Sequence, residues 1–157
     1  MGGGSATAAD TSAAYRLGEL IAENGWILLN GGRNSGIMDA SARGARERGG
    51  LTVGILPDDN LSVASAYVDI PVITGMGSGR NIINVLSSDL VVACPGGAGT
   101  FSEIALALKH GKPVVLLNFS VGTIFDAYRK AGQLFFAETP EEAVAIAWRE
   151  TGADGNT

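Results

Sequence analysis

Three glycine-rich runs in this chain have the residue types that hold an anion. The densest is Pro95-Gly96-Gly97-Ala98-Gly99-Thr100-Phe101-Ser102-Glu103, between a run of apolar residues and a helical pattern. Glycine lets the backbone approach a ligand closely and takes positive φ without steric cost. A helix beginning at such a turn offers unpaired N–H groups and the positive end of its dipole. That setting binds phosphate. Thr100 adds a hydroxyl. The reading without a ligand is a tight turn closed by a Thr100–Glu103 capping box, but three glycines exceed what a cap requires.

The second run, Asn30-Gly31-Gly32-Arg33-Asn34-Ser35-Gly36, also lies between a strand pattern and a helix pattern. Gly31 to Gly36 are its candidate binding residues. The third is Thr74-Gly75-Met76-Gly77-Ser78-Gly79-Arg80-Asn81, with Gly77, Ser78, Arg80 and Asn81 as candidates. It loosely imitates a dinucleotide fingerprint, but no ribose-binding acid follows it. In a parallel sheet all three turns lie at the carboxyl edge, where ligands bind. Arg80 and Glu103 then open two successive helices and reach one pocket. Arg80 is a charge-assisted donor to an anionic group. Glu103 either acts on the ligand or completes the cap.

Other chemistries find little support. A Schiff-base enzyme needs a lysine at its site, and Lys109, Lys112 and Lys130 all lie outside the glycine-rich turns. The single histidine, His110, stands beside Gly111 and reads as a helix-end surface residue. Cys94 is the lone cysteine, so no intrachain disulfide forms, which fits a reducing cytoplasm. No metal site is expected. The net charge of −5 argues against nucleic acid as a partner. The N-terminus shows no signal-peptide pattern, and no apolar run approaches the ~18 residues that span a membrane.

The elements that must position these turns follow from composition and periodicity. The 157 residues suit one domain, with 46% hydrophobic and 17% charged residues. Helices alternate with short apolar strands, the pattern of an α/β, three-layer αβα domain with a mostly parallel sheet of Rossmann type. Helices are predicted over 11–24, 37–48, 80–87, 100–110 and 123–131. Strands are predicted over 26–30, 51–56, 68–74, 89–94, 113–118 and 134–136. Thr139-Pro140-Glu141-Glu142 opens a last helix, with Thr as N-cap and Pro at the first position. It ends near Thr151, and residues 152–157 are expected to be a mobile tail. A fold of this type normally starts with a strand. Here Met1 leads straight into Gly2-Gly3-Gly4-Ser5, which itself looks like a phosphate-binding first turn. The first strand is therefore expected to be missing or truncated; the other reading makes the glycines an added leader.

The motif Pro-Gly-Gly-x-Gly-Thr-x-x-Glu, matched completely by Pro95 to Glu103, resembles that of the cytokinin-activating phosphoribohydrolases. These are the LOG proteins, often mislabelled lysine decarboxylases. Gly31-Gly32 through Gly36-Ile37-Met38, the run Gly49 to Pro57, and Gly79-Arg80-Asn81 resemble the family's molybdenum cofactor carrier branch more closely. The resemblance covers roughly residues 5–118. It implies a Rossmann-like fold in a homodimer or larger assembly, and helix 100–110 carries surplus apolar surface in Ile104, Ala105, Leu106 and Leu108. In the hydrolases an Arg before the motif and the motif's final Glu act on substrate, roles that map onto Arg80 and Glu103. The hydrolases typically follow that Arg with Lys, whereas this chain has Asn81. Three readings result. One is a carrier of the molybdenum cofactor, a small phosphorylated ligand. The second is a hydrolase of the N-glycosidic bond in nucleoside 5′-monophosphates. The third is a nucleotide-sensing or structural relative.

Overall fold

The computed structural model describes residues 1–152. Its elements alternate as the periodicity predicts. They are α1 (Ala8–Glu23), β1 (Leu28–Asn30), α2 (Gly36–Glu47), β2 (Thr52–Leu56), β3 (Ile70–Ile73), a 3-10 turn (Gly77–Arg80), α3 (Asn81–Leu86), β4 (Val91–Ala93), α4 (Ala98–Lys109), β5 (Val114–Leu117), α5 (Asp126–Lys130), β6 (Leu134–Ala137) and α6 (Pro140–Thr151). The strands form two three-stranded parallel sheets, ordered β1-β2-β3 and β4-β5-β6.

The layering is clearest at β5, buried along its whole length. Its side chains alternate between the two faces of the sheet. Val114 and Leu116 join Val85 of α3 and Ile104, Ala107 and Leu108 of α4 in one core cluster. Val115 and Leu117 join Ala14 and Leu17 of α1 and Ala143 and Val144 of α6 in another. Helices thus cover both faces of a parallel sheet, the Rossmann-like α/β arrangement read from the sequence. Because Ile104 and Leu108 point into this core, the surplus apolar surface expected on α4 shrinks. What remains is Ala105, the half-buried Leu106 and the exposed Phe101.

Element ends shift for local reasons. α1 begins at Ala8 instead of Thr11, because Thr7 and Asp10 form a capping box. The helix expected from Arg80 is preceded by the tighter 3-10 turn. α4 starts at Ala98, two residues before Thr100. The strand expected from Trp26 starts only at Leu28, and Trp26 instead packs at a tilt against Trp148 of α6 with ring centroids 5.0 Å apart. The expected α6 start is present, with Thr139 Oγ1 accepting from the Glu142 N–H at 3.2 Å. The mobile-tail expectation falls outside the described residues from 153 onward.

α1 and α2 cross at close range, and this fixes the β1–α2 turn against the rest of the fold. A Cβ on Gly44 would lie 2.9 Å from the carbonyl carbon of Tyr15, and one on Gly18 2.9 Å from the Ala45 nitrogen. The obstacles are backbone atoms, which cannot swing aside. Helix propensity alone favours Gly44→Ala by about 1 kcal/mol, but overpacking against a fixed backbone typically costs about 1–3 kcal/mol. We expect Gly44→Ala to lower the urea midpoint of unfolding; a raised midpoint would contradict this packing.

Residues 1–3 run alongside β4. The Met1 amine donates to the Val92 carbonyl, the Cys94 N–H donates to the Met1 carbonyl at 2.8 Å, and the Gly3 N–H to the Pro95 carbonyl at 3.1 Å. This is the end of a parallel pairing, located where the sequence leads one to expect a first strand. β1 and β4 are not hydrogen-bonded to each other. Among the described residues, no helix is long and apolar enough to cross a membrane.

Candidate functional site

A cavity of about 230 Å³ opens where the chain leaves β1 and β4. It is lined by Met1, Gly2, Gly3, Gly4, Gly31, Met38, Arg80, Asn81, Gly97, Gly99, Thr100 and Glu103. Its floor is the start of α4. Gly97 is the N-cap, in extended conformation at φ −96° and ψ −153°, and no side chain caps the helix. The first-turn N–H groups therefore have no side-chain acceptor. A Cβ on Gly97 or Gly99 would meet nothing within 4 Å. These two glycines are thus not required by the fold's own packing; they leave open the space in front of the helix.

Gly96 differs. A Cβ there would strike Thr100 and come within 2.9 Å of the Gly3 nitrogen, so Gly96 lets the segment Gly2–Gly4 lie against the turn. On the other side the segment is held by the Ile37 N–H, which donates to the Gly3 carbonyl at 3.2 Å. Gly36 takes a left-handed φ of +53°, and any side chain there would collide with the Gly3 and Gly4 carbonyl groups.

The charged wall is a buried cluster. Arg80 Nη1 lies 3.4 Å from Glu103 Oε1, with side chains only 11% and 8% exposed. The same nitrogen donates to Asn81 Oδ1 at 2.7 Å. Asn84 Nδ2 donates to Glu103 Oε1 at 3.1 Å. Asn81 Nδ2 donates to Ser102 Oγ at 3.0 Å, tying α3 to α4. Burial pushes the Arg80 pKa below its ordinary value. Glu103 opposes that shift, and the charge of Arg33 adds to it. An arginine still stays protonated in a protein, so the site carries a desolvated cation. Arg80 Nε is buried without a hydrogen-bond partner, and so is Asn84 Oδ1. An unmet buried donor costs about 1–3 kcal/mol. Gly31 makes room for this arginine: a Cβ there would sit 3.0 Å from its guanidinium carbon and 2.7 Å from Met38 Sδ.

The Thr100–Glu103 capping box is absent. Thr100 lies inside α4, one turn too late to cap it, and Glu103 Oε1 is turned to Arg80 and Asn84.

Of the residues singled out from the sequence, Gly31, Arg80, Asn81, Gly97, Gly99, Thr100 and Glu103 line the cavity; the others do not. Arg33 pairs with Asp58 at 3.1 Å. The Asn34 N–H donates to the Val63 carbonyl, and the Ser65 N–H to the Gly32 carbonyl. Ser35 is the N-cap position of α2 and makes no side-chain cap bond. Gly77 and Ser78 belong to the 3-10 turn, where the Gly77 N–H is engaged by the Pro57 carbonyl. Pro95 supports Gly3 through its carbonyl, and Ala98 is the first residue of α4. Sequence reasoning passed over Met38, Asn84 and Gly2–Gly4 as site residues. The glycines read as a first turn in the sequence, and Asn84 stands four residues after Arg80, one helical turn along. Among the described residues, no group of three or more His, Cys, Asp or Glu side chains is placed to hold a metal ion.

The sequence profile of the SLOG cluster4 family matches residues 1–144. The chain is similar to the molybdenum cofactor binding protein of the phototrophic bacterium Rippkaea orientalis, with 48% identity and a TM-score of 0.86. The match covers 92% of this chain and 89% of that one. It is 41% identical to the molybdenum cofactor carrier protein of Chlamydomonas reinhardtii, with a TM-score of 0.87, covering 97% of this chain and 94% of the other. The cytokinin riboside 5′-monophosphate phosphoribohydrolase of Mycobacterium tuberculosis is 34% identical over 113 residues, which make up 67% of this chain and 60% of that relative.

Proposed function

The chain belongs to the SLOG cluster4 family, and from that premise we propose that it is a carrier that holds the molybdenum cofactor by its phosphate. The observation that carries this reading is the surplus of donors in a small cavity. The first-turn N–H groups of α4 have no side-chain acceptor, the space beside Gly97 and Gly99 is open, and the buried Nε–H of Arg80 has no partner. Such a site suits an anion with several acceptor oxygens. Its volume, about 230 Å³, is below the roughly 300–1,000 Å³ of pockets that enclose a drug-sized ligand. It therefore takes the phosphate-bearing end, with the rest of the ligand outside.

Three observations favour a carrier over a hydrolase. Asn81 occupies the position where the hydrolases typically have a lysine, and its side chain is spent on Ser102 and Arg80. Glu103 Oε1 already accepts from two donors. The similar structures described as binding or carrying molybdenum cofactor also cover nearly the whole chain, whereas the phosphoribohydrolase match covers two thirds of it. The carrier works as a homodimer or larger assembly in the cytoplasm; a monomer in sedimentation at micromolar concentration overturns the first of these statements.

The deciding experiment pairs two assays. One incubates the protein with a panel of nucleoside 5′-monophosphates and looks for released base. The other titrates it with purified molybdenum cofactor. The carrier reading expects saturable cofactor binding and no base release. Release of base at enzymatic rates, without cofactor binding, replaces it with the hydrolase reading.

A further inference from the structure

A second arginine stands beside the anion cavity without lining it. Arg80 is in the cavity wall, and so is Gly31. Arg33 follows Gly31 by two positions. Its backbone is fixed by a bridge to Ala64, with the Asn34 N–H donating to the Val63 carbonyl at 2.9 Å. Its side chain pairs with Asp58 through Nη2, at 3.3 Å to Oδ1 and 3.1 Å to Oδ2. Asp58 is in turn tied to the segment that leads into Arg80. The Gly75 N–H donates to the Asp58 carbonyl at 3.1 Å, and the Gly77 N–H to the Pro57 carbonyl at 2.9 Å. The two ion pairs, Arg80–Glu103 and Arg33–Asp58, therefore sit within reach of each other's fields. Burial is the main cause of the lowered Arg80 pKa, Glu103 opposes it, Arg33 adds to it and Asp58 opposes it.

We propose that Arg33 is a second anion subsite, so that this protein selects small ligands with two anionic groups: a phosphate in the cavity with Arg80, and a second charge on Arg33 outside it. The proposal rests on the reading of the cavity as a phosphate site and adds the charge pattern of the rest of the ligand. A guanidinium is a fork of several N–H donors. Among the described residues Asp58 engages Nη2 alone, and Nε is buried without a partner. The pair is also weakly held. Its side chains are 43% and 33% exposed, and ion pairs open to water add little to stability. An incoming anion can therefore share Arg33 with Asp58 at small cost. Asp58 acts as the competing counter-ion. A lone phosphate in the cavity gains little from an arginine already neutralised, whereas a ligand that brings its own second charge to Arg33 does gain.

Calorimetric titration with inorganic phosphate and with tripolyphosphate tests this. The proteins compared are the parent, Arg33→Gln, Asp58→Asn and Arg149→Gln. The last removes an exposed positive charge from α6 and controls for net charge. Tripolyphosphate is expected to bind the parent and Arg149→Gln at least about tenfold more tightly than phosphate does, as one added charge-assisted hydrogen bond allows. Arg33→Gln is expected to abolish that gain while keeping phosphate affinity within about twofold of the parent. In Asp58→Asn the amide oxygen still accepts from Arg33 but no longer competes by charge, so tripolyphosphate affinity is expected to rise about threefold or more. Equal affinity of the parent for the two anions overturns the proposal and leaves the phosphate reading standing. So does a gain that persists in Arg33→Gln, or one lost equally in Arg149→Gln. A parent that binds neither anion overturns both.

Discussion

Replacing Gly97 with Val is expected to leave the fold intact and to weaken binding of a phosphate-bearing ligand at least a hundredfold. Both halves of this expectation follow from the same local geometry. Gly97 is extended, at φ −96°, a backbone region open to side chains, and its Cβ would touch nothing within 4 Å. The added Cβ therefore enters open space, and the melting temperature is expected to fall only slightly, from exchanging glycine for a poorer N-cap residue. That empty space lies directly before the first turn of α4, where the ligand oxygens need to approach the N–H groups. A hydrogen bond to a charged group contributes about 1.5–3 kcal/mol. Losing two of them amounts to a factor of roughly a hundred or more. Calorimetric titration with the molybdenum cofactor, beside a thermal melt, reads both quantities. A variant that melts like the parent and binds like the parent places the anion elsewhere.

How much of this site was legible in the sequence depended on how local each determinant is. The α4 turn was legible because its glycines and the following helix sit within nine residues, and the nearest-neighbour geometry of a strand–turn–helix unit does the rest. Arg80 and Glu103 were legible as partners because successive parallel units bring their turns to one edge. The second run misled in part. Gly31 reaches the cavity, but Arg33 and Asn34 are drawn away by the loop 57–65, through Asp58 and the Val63 carbonyl. No periodicity announces such a loop contact. Gly2–Gly4 could be read as a turn but not placed, because the pairing of Met1 with Val92 and Cys94 joins residues about ninety positions apart. Glu103 shows the opposite failure. Local rules offered Thr100 and Glu103 as a capping box, yet the helix begins two residues earlier and tertiary partners claim the carboxylate. The strand ends differ by one or two residues where a short ladder, not the apolar run, decides which residues pair.

The Arg80–Glu103 pair carries the second large expectation. Arg80→Ala removes the one positively charged side chain that lines the cavity among the described residues, and affinity for the phosphate-bearing ligand is expected to fall at least tenfold. Truncating a buried charge also leaves its partner exposed to the low-dielectric interior, and such losses destabilise proteins by several kcal/mol. Here Glu103 keeps Asn84 as a donor, so we expect a smaller loss, about 1–3 kcal/mol. The affinity change must therefore be separated from misfolding. Glu103→Gln does so, because glutamine keeps the side-chain oxygen that accepts from Arg80 and Asn84 while removing the charge. Its fold is expected to persist, and its affinity for an anion to hold or rise as a nearby negative charge disappears. The double variant Arg80→Ala/Glu103→Gln should recover stability relative to Arg80→Ala without recovering binding. These outcomes also separate the two chemistries. In a hydrolase Glu103→Gln lowers turnover by orders of magnitude with binding preserved. In a carrier neither the parent nor the variant releases base, and only the Arg80 substitutions change what is measured. Unchanged affinity in Arg80→Ala, with the variant folded, would remove Arg80 from the anion site.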